Sequence, residues 1–298
     1  MIAQWENKLM SSFLLFLDNK VCSQGQAYTN LVNQTIYPIS SNYSHFIYAP
    51  HSGTDPNKEI YAYALPFKQI IIDESISGAN ICKGVTRDGA YTTPGFPNNP
   101  LNCILHHKGQ FLFLEDQSAY TMTVDCAVKD YNIYISSKFE EDLLINTKYQ
   151  TNPRINQTLA GLSDNTETYP AIFLKNMGGS NDPLALGTRT QNVKTKIRAV
   201  VMSDSAFSLD ALCNILKNTK DLEIPILESN NLPFNSIGGY TGVIYDYSIE
   251  SATSTEKAWI WNVNVTRLNP NSSELRNLHA EVHSAFVDFE VHGVGKNT

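Results

Sequence analysis

KIRAVVMSDSAFSLDALCNILKN, Lys196 to Asn218, sets a strand and a helix side by side with clear punctuation between them. Ile197 to Met202 is an apolar run led in by Lys194, Lys196 and Arg198 and closed by Ser203, Asp204 and Ser205. A solvated edge thus passes into a buried strand and then into a helix start, with Asp204 or Ser205 as the cap. Leu209, Leu212, Cys213 and Leu216 fall at i, i+3, i+4 and i+7, and Ala211 and Ile215 widen the stripe, which predicts a helix packed on a sheet. Upstream, Pro170 opens a second apolar run, Ala171 to Leu174, which the turn-tolerant segment Met177 to Pro183 is expected to close. Downstream, Pro225 ends the helical pattern, and Ile224 to Leu227 re-enters as a short strand.

Beyond this unit, Asn230 to Thr241 reads as a loop. In Trp259 to Leu268 the large residues Trp259, Trp261, Val263 and Val265 alternate with Asn262, Asn264 and Thr266, as in a strand with one polar face. Ala285, Val287, Phe289 and Val291 alternate with Asp288 and Glu290 in a closing strand. Toward the N-terminus, Trp5, Leu9, Phe13, Phe16 and Leu17 have helical spacing and predict an amphipathic helix from about Ala3 to Asn19 that packs on the chain's own core. Between them, Thr35 to Ser136 carries short runs of Tyr, Ile, Val and Thr broken by Gly and Pro, a β texture. Arg87-Asp88-Gly89 and His107-Lys108-Gly109 predict hairpins, Tyr120 to Cys126 alternates like a strand, and Pro94 to Pro100 is too proline-rich for a central strand.

The expected fold class is therefore α+β: a mixed sheet with packed helices, a mid-chain β-sandwich or barrel-like segment, and the N-terminal helix. Three units are predicted: 1–34, the helix and a linker packing on the C-terminal domain; 35–136, a β-rich contact module; and 137–298, an α+β body. Tyr61, Tyr63, Phe67 and Phe96 are the candidates for a protein-contact surface on the module, because aromatic side chains combine apolar area with a polar tip. The competing reading is that they fill the module's own core.

The 298 residues, 42% hydrophobic and 17% charged, suffice for one large or two modest domains. A formal charge of −7 with no Lys/Arg cluster argues against a dedicated nucleic-acid binder. Cys22, Cys82, Cys103, Cys126 and Cys213 are odd in number and scattered, which suggests neither a disulfide framework nor a zinc knuckle, and they are expected to be reduced and mostly buried. Phe13 to Leu17 is too short for a signal peptide or membrane span, so cytoplasmic synthesis is expected.

Catalytic fragments fail on spacing. Ser203 sits between strand and helix, yet lacks the flanking glycines of a nucleophile elbow. His279 and His283 bracket Glu281, but the zinc-protease order needs Glu directly after the first His. His106 and His107 would point to opposite faces of a strand. Glu140, Glu141 and Asp142 read as a solvated acidic face, and Met177-Gly178-Gly179-Ser180 lacks the Lys-Ser/Thr end of a phosphate loop. No catalytic residue, cofactor site or metal site is assigned.

Five stretches carry a resemblance: ALPFKQIIIDESISGANICKG (Ala64 to Gly84), VKDYNIYISSKFEEDLLINTKY (Val128 to Tyr149), YPAIFLKN (Tyr169 to Asn176), the opening stretch, and VDFEV (Val287 to Val291). They resemble virion structural proteins of contractile-tailed bacteriophages, notably of marine and cyanobacterial hosts. The order from NPRINQTLAGL (Asn152 to Leu162) through two strands to the helix is similar to tail-terminator proteins at the neck. The 35–136 segment is large for a compact terminator. The resemblance implies a terminator-like body and a non-enzymatic subunit of a ring, six-fold for terminators, that joins tail to head in the virion. Implied partners are further copies of the chain and the connector, tail-tube and sheath proteins, with no membrane and with DNA passing a channel that the ring lines passively. A collar, fibre-attachment or baseplate protein is the alternative place in the particle, and a hydrolase using Ser203 the remaining one.

Overall fold

The structure is a computed structural model that describes residues 5–39, 60–95, 99–146, 149–151, 167–184, 190–227, 232–234, 241–268 and 282–296. The protein is mixed α and β and mostly strand. Its first half contains α1 (Trp5–Gly25), β1 (Tyr28–Thr35), β2 (Tyr37–Pro38), β3 (Tyr61–Ala64), β4 (Val85–Arg87), β5 (Ala90–Thr92), β6 (Leu101–Leu105), β7 (Gln110–Phe113), β8 (Met122–Lys129) and β9 (Asn132–Ile135). A π-helical turn (Asp142–Asn146), β10 (Tyr149–Thr151), β11 (Glu167–Tyr169), β12 (Ala171–Pro183), β13 (Thr190–Ser203), α2 (Ala206–Lys217), β14 (Glu223–Ile226), α3 (Tyr247–Thr253), β15 (Glu256–Arg267) and β16 (His283–Lys296) follow.

Six strands form the body sheet in the order β14-β15-β16-β13-β12-β9. All neighbours are antiparallel except β9 and β12, so the sheet is mixed. Its inner face carries Ile172, Leu174, Ile197, Ala199, Val201, Val287, Phe289 and Val291, all buried in one cluster with α1 and α2. Helix α2 forms as predicted: Ser205 caps it by accepting from Ser208 N at 3.1 Å, and Leu209, Leu212, Cys213 and Leu216 face inward.

Strand β12 runs past its predicted end. Met177 to Pro183 does not close β12; the turn-tolerant residues become a bulge between Asn176 and Gly179, with Gly178 at φ +80°, and pairing with β13 resumes beyond it. A Cβ on Gly179 would collide with the Lys194 carbonyl, so close backbone approach explains this glycine. After the Asn230 to Thr241 stretch, Asp246 accepts from Ile249 N at 3.1 Å and starts α3.

Helix α1 is longer than predicted, and its apolar surface is not a stripe. Every residue from Ser12 to Asp18 is buried, in a cluster with the sheet, α2 and mid-chain residues such as Ile71, Ile72 and Ala127. A helix apolar nearly all round belongs in the interior. Trp5, at its start, lies flat enough on β16 that a Cβ at Gly293 would overlap its ring.

The middle of the chain makes two four-stranded antiparallel sheets, β1-β8-β4-β5 and β2-β3-β7-β6. They share a core of Leu65, Val85, Leu101, Phe111, Phe113, Met122, Val124 and Cys126 among others. Asp88 (φ +46°) and Gly89 (φ +85°) make the two-residue hairpin turn that Asp-Gly predicts. This unit and the body share walls. On β8, Val124, Cys126 and Val128 face the two-sheet core while Ala127 faces the body core, and Ile70 and Ile71 divide in the same way. Strand β9, within the predicted 35–136 unit, lies in the body sheet.

A buried polar seam crosses this junction. Lys129 Nζ donates to both oxygens of Asp18 at 2.7 Å, and Tyr131 Oη donates to Asp18 Oδ1 at 2.6 Å. Asp73 accepts from Asn19 Nδ2 at 2.9 Å, Ser75 N at 2.9 Å and Tyr247 N at 3.0 Å. Charges this far from water persist only when paired and hydrogen-bonded.

Candidate interaction surfaces

Among the described residues, the outer face of the body sheet is covered over only part of its length. Where β12 and β16 begin, Leu143 and its π-helical turn pack on Ala171, Phe173, Val200 and Met202. Arg198 marks the limit of this cover. Its Nη1 donates to Glu140 at 3.1 Å, its Nε donates to Asp288 at 2.6 Å, and its guanidinium lies 4.8 Å from the Phe286 ring centre. Glu140, predicted as part of a solvated acidic face, is thus the anchor that ties the cover to the sheet.

Past Arg198 none of the described residues covers the outer face. Trp259, Trp261 and Val294 are 40%, 62% and 51% exposed. Trp261 stacks on His292 with ring centres 5.2 Å apart and planes 13° apart, and His292 Nε2 is 2.8 Å from Glu290 Oε1. The two indoles are outside because β15 carries a bulge between Ile260 and Asn262. Before it, Ala258 and Ile260 face the core; after it, Val263 does. The simple alternation read from sequence grouped both tryptophans with Val263 and Val265 on one face. The extra residue instead turns Trp259 and Trp261 to solvent. The signal was present, since Ala258/Ile260 and Val263/Val265 are out of phase by one residue.

At the opposite end of the sheet lies an open groove of about 670 Å³ beside the edge strand β9. Met10 and Leu14 of α1, Ile133 and Ile135, and Phe234 give it an apolar lining, and Lys175 supplies a positive charge. Gln69 guards part of this edge: its Nε2 donates to Ile133 O at 3.0 Å and its Oε1 accepts from Ile133 N at 3.1 Å, the two bonds a neighbouring strand would make. Ile135, two residues on, is 43% exposed.

The predicted contact residues lie elsewhere. Tyr63 is 5% exposed and meets Phe113 edge-on at 5.5 Å in the two-sheet core, which removes it from any surface. Tyr61 and Phe67 pack part-buried against the same core, and Phe96 lies outside the described residues.

Of the chemical fragments, Ser203 stands across the β13–β16 ladder from His283. Its side chain is fully buried, and its hydroxyl lies 3.5 Å from Asp204 Oδ1 and accepts from Ser205 N at 3.3 Å. His279 and Glu281 lie outside the described residues. His106 is buried, donates from Nε2 to Cys82 O at 2.9 Å, and is held by burial at a pKa of about 4. The five cysteines are free. Burial pushes the thiols of Cys22 and Cys82 up to about 12 and those of Cys103 and Cys213 up to about 11, which keeps them protonated near neutral pH. Among the described residues no group of three His, Cys, Asp or Glu side chains is placed to hold a metal ion, and no helix is long and apolar enough to cross a membrane.

No family model matches the chain, and no curated protein is significantly similar to it.

Proposed function

We propose that this chain is a non-enzymatic structural subunit of a bacteriophage virion, one of a ring of copies at the neck where tail joins head. The observation that carries the reading is the open corner of the body sheet, where Trp259, Trp261 and Val294 stand exposed together. Contiguous apolar surface of this kind marks contact sites, and tryptophan is enriched among the residues that dominate interface energetics. The resemblance of five stretches to virion structural proteins supports a place at the neck. Four of them fall mainly on β9, β12, β13, α2 and β16 of the body, and Ala64 to Gly84 lies in the mid-chain segment between β3 and β4. A net charge of −7 suits a ring that DNA passes without being gripped.

A collar, fibre-attachment or baseplate subunit is the second reading, favoured by the β4–β5 hairpin, which holds Tyr91 62% exposed. Gold-labelled antibody against the chain, applied to virions and imaged in negative stain, separates the two. Label at the head–tail junction is expected. Label on fibres or baseplate supports the second reading, and particles that lack the chain contradict both.

A further inference from the structure

The segment from Ser136 to Asn146, which covers part of the outer face, is a thin strap. It leaves β9 with Ser136 N donating to Leu174 O at 2.9 Å and ends in the π-helical turn at Asp142–Asn146. Between residues 136 and 144 Leu143 alone is buried, and its amide bonds back within the segment, to Phe139 O at 3.0 Å. Phe139 is 72% exposed, with Lys175 Nζ 5.3 Å from its ring centre. Glu140 supplies the charged hold, on Arg198. Arg198 is placed to let that hold go. Its Nε and Nη2 donate to the two oxygens of Asp288, its partner across the β13–β16 ladder, at 2.6 and 3.0 Å, and its guanidinium lies on the Phe286 ring. Nη1 reaches Glu140, at 3.1 and 3.2 Å. When Glu140 leaves, Arg198 keeps a carboxylate partner, and with side chains 26% and 24% exposed neither charge is left buried and unpaired. The catch on the sheet therefore stays formed whether the strap is on or off.

We propose that residues 136–146 open as a unit, by release of Glu140 from Arg198 and withdrawal of Leu143, while the sheet beneath stays folded. Segments with few buried contacts open below the free energy of global unfolding, and π-helical turns recur at working parts of proteins. Opening uncovers Ala171, Phe173, Val200 and Met202, against which Leu143 packs. These residues lie on the same sheet face as Trp259 and Trp261, so opening enlarges the apolar surface that this face offers. The device stands whether or not the chain forms a ring.

Hydrogen exchange of the full chain in rising, sub-denaturing urea tests the strap. The amides of residues 139–146 are expected to exchange faster than those of β13 and β16 and with a much shallower dependence on urea, because strap opening exposes far less surface than global unfolding. Glu140→Gln, which keeps the size and removes the charge, should speed exchange in the strap about tenfold and leave β13 and β16 unchanged. Hydrogen peroxide reads the uncovered face. Met202, 1% exposed beneath the strap, should oxidise faster in Glu140→Gln, while Met122, 2% exposed in the two-sheet core, keeps its rate. Strap amides that share the rate and urea slope of β13 in the parent chain overturn the proposal. So does a Glu140→Gln chain whose strap exchanges like the parent's, or one in which strap and β13 speed up equally.

Discussion

The two-sheet unit and the body sheet are built from similar material, short and long, mostly antiparallel strands rich in aromatic residues, yet they dispose of many of those residues differently. In the two-sheet unit each sheet covers the other, so Tyr63, Phe111 and Phe113 turn inward into a shared core. Among the described residues, the body sheet has α1 and α2 on one face and only a short turn on the other. Its uncovered corner keeps Trp259 and Trp261 in water. Aromatic content therefore says little about where a surface lies; the number of layers over each face decides it.

The sharpest way to break the comparison is at the seam that both regions share. Lys129→Ala leaves Asp18 buried without its cation, and a loss of about 3–5 kcal/mol is expected. Hydrogen exchange should show protection falling in β8 and in α1 together; loss confined to one of them would show that the seam does not couple the regions. Replacing the pair by Asp18→Leu with Lys129→Met should recover most of the stability. Within the body, Leu212→Ala opens a cavity under α2 and is expected to cost about 2–5 kcal/mol in urea unfolding. An unchanged midpoint would mean that another face of α2 is inside.

Acid distinguishes the two-sheet unit. His106 has a pKa of about 4 in the fold against 6.5 for the ordinary side chain. Because the folded value is the lower one, the unfolded chain takes up the proton first. Stability is complete above about pH 6.5 and is lost as the pH falls toward 4. At pH 5 the His106 share of that loss is about 2 kcal/mol. It is read as the difference in pH slope between the parent chain and His106→Gln, and identical slopes would contradict it. The smallest effect belongs to the hairpin: Gly89→Ala at φ +85° should cost about 1 kcal/mol and leave the body's exchange protection untouched.

Local rules made much of the fold legible. The i, i+3, i+4 spacing found α2, Ser205 stood where a cap belongs, and Asp88-Gly89 made its turn. Bulges were not read, because one inserted residue at Trp261, or at Gly179, looks in sequence like noise in an alternation and yet exchanges the two faces of a strand. The seam and the Arg198 bridge were also beyond reach. Asp18 and Lys129 are 111 residues apart and Glu140 and Arg198 are 58 apart, and nothing in either neighbourhood marks the partner. The contact residues were sought among mid-chain aromatics, which β3 and β7 turn into their own core.

Native mass spectrometry of the full chain over rising concentration tests the central claim most directly. The account expects one closed oligomer, six-fold by the terminator resemblance, that gives way to monomer when Trp259 and Trp261 are both replaced by Ala. A parent chain with no species above the monomer at any concentration would contradict it.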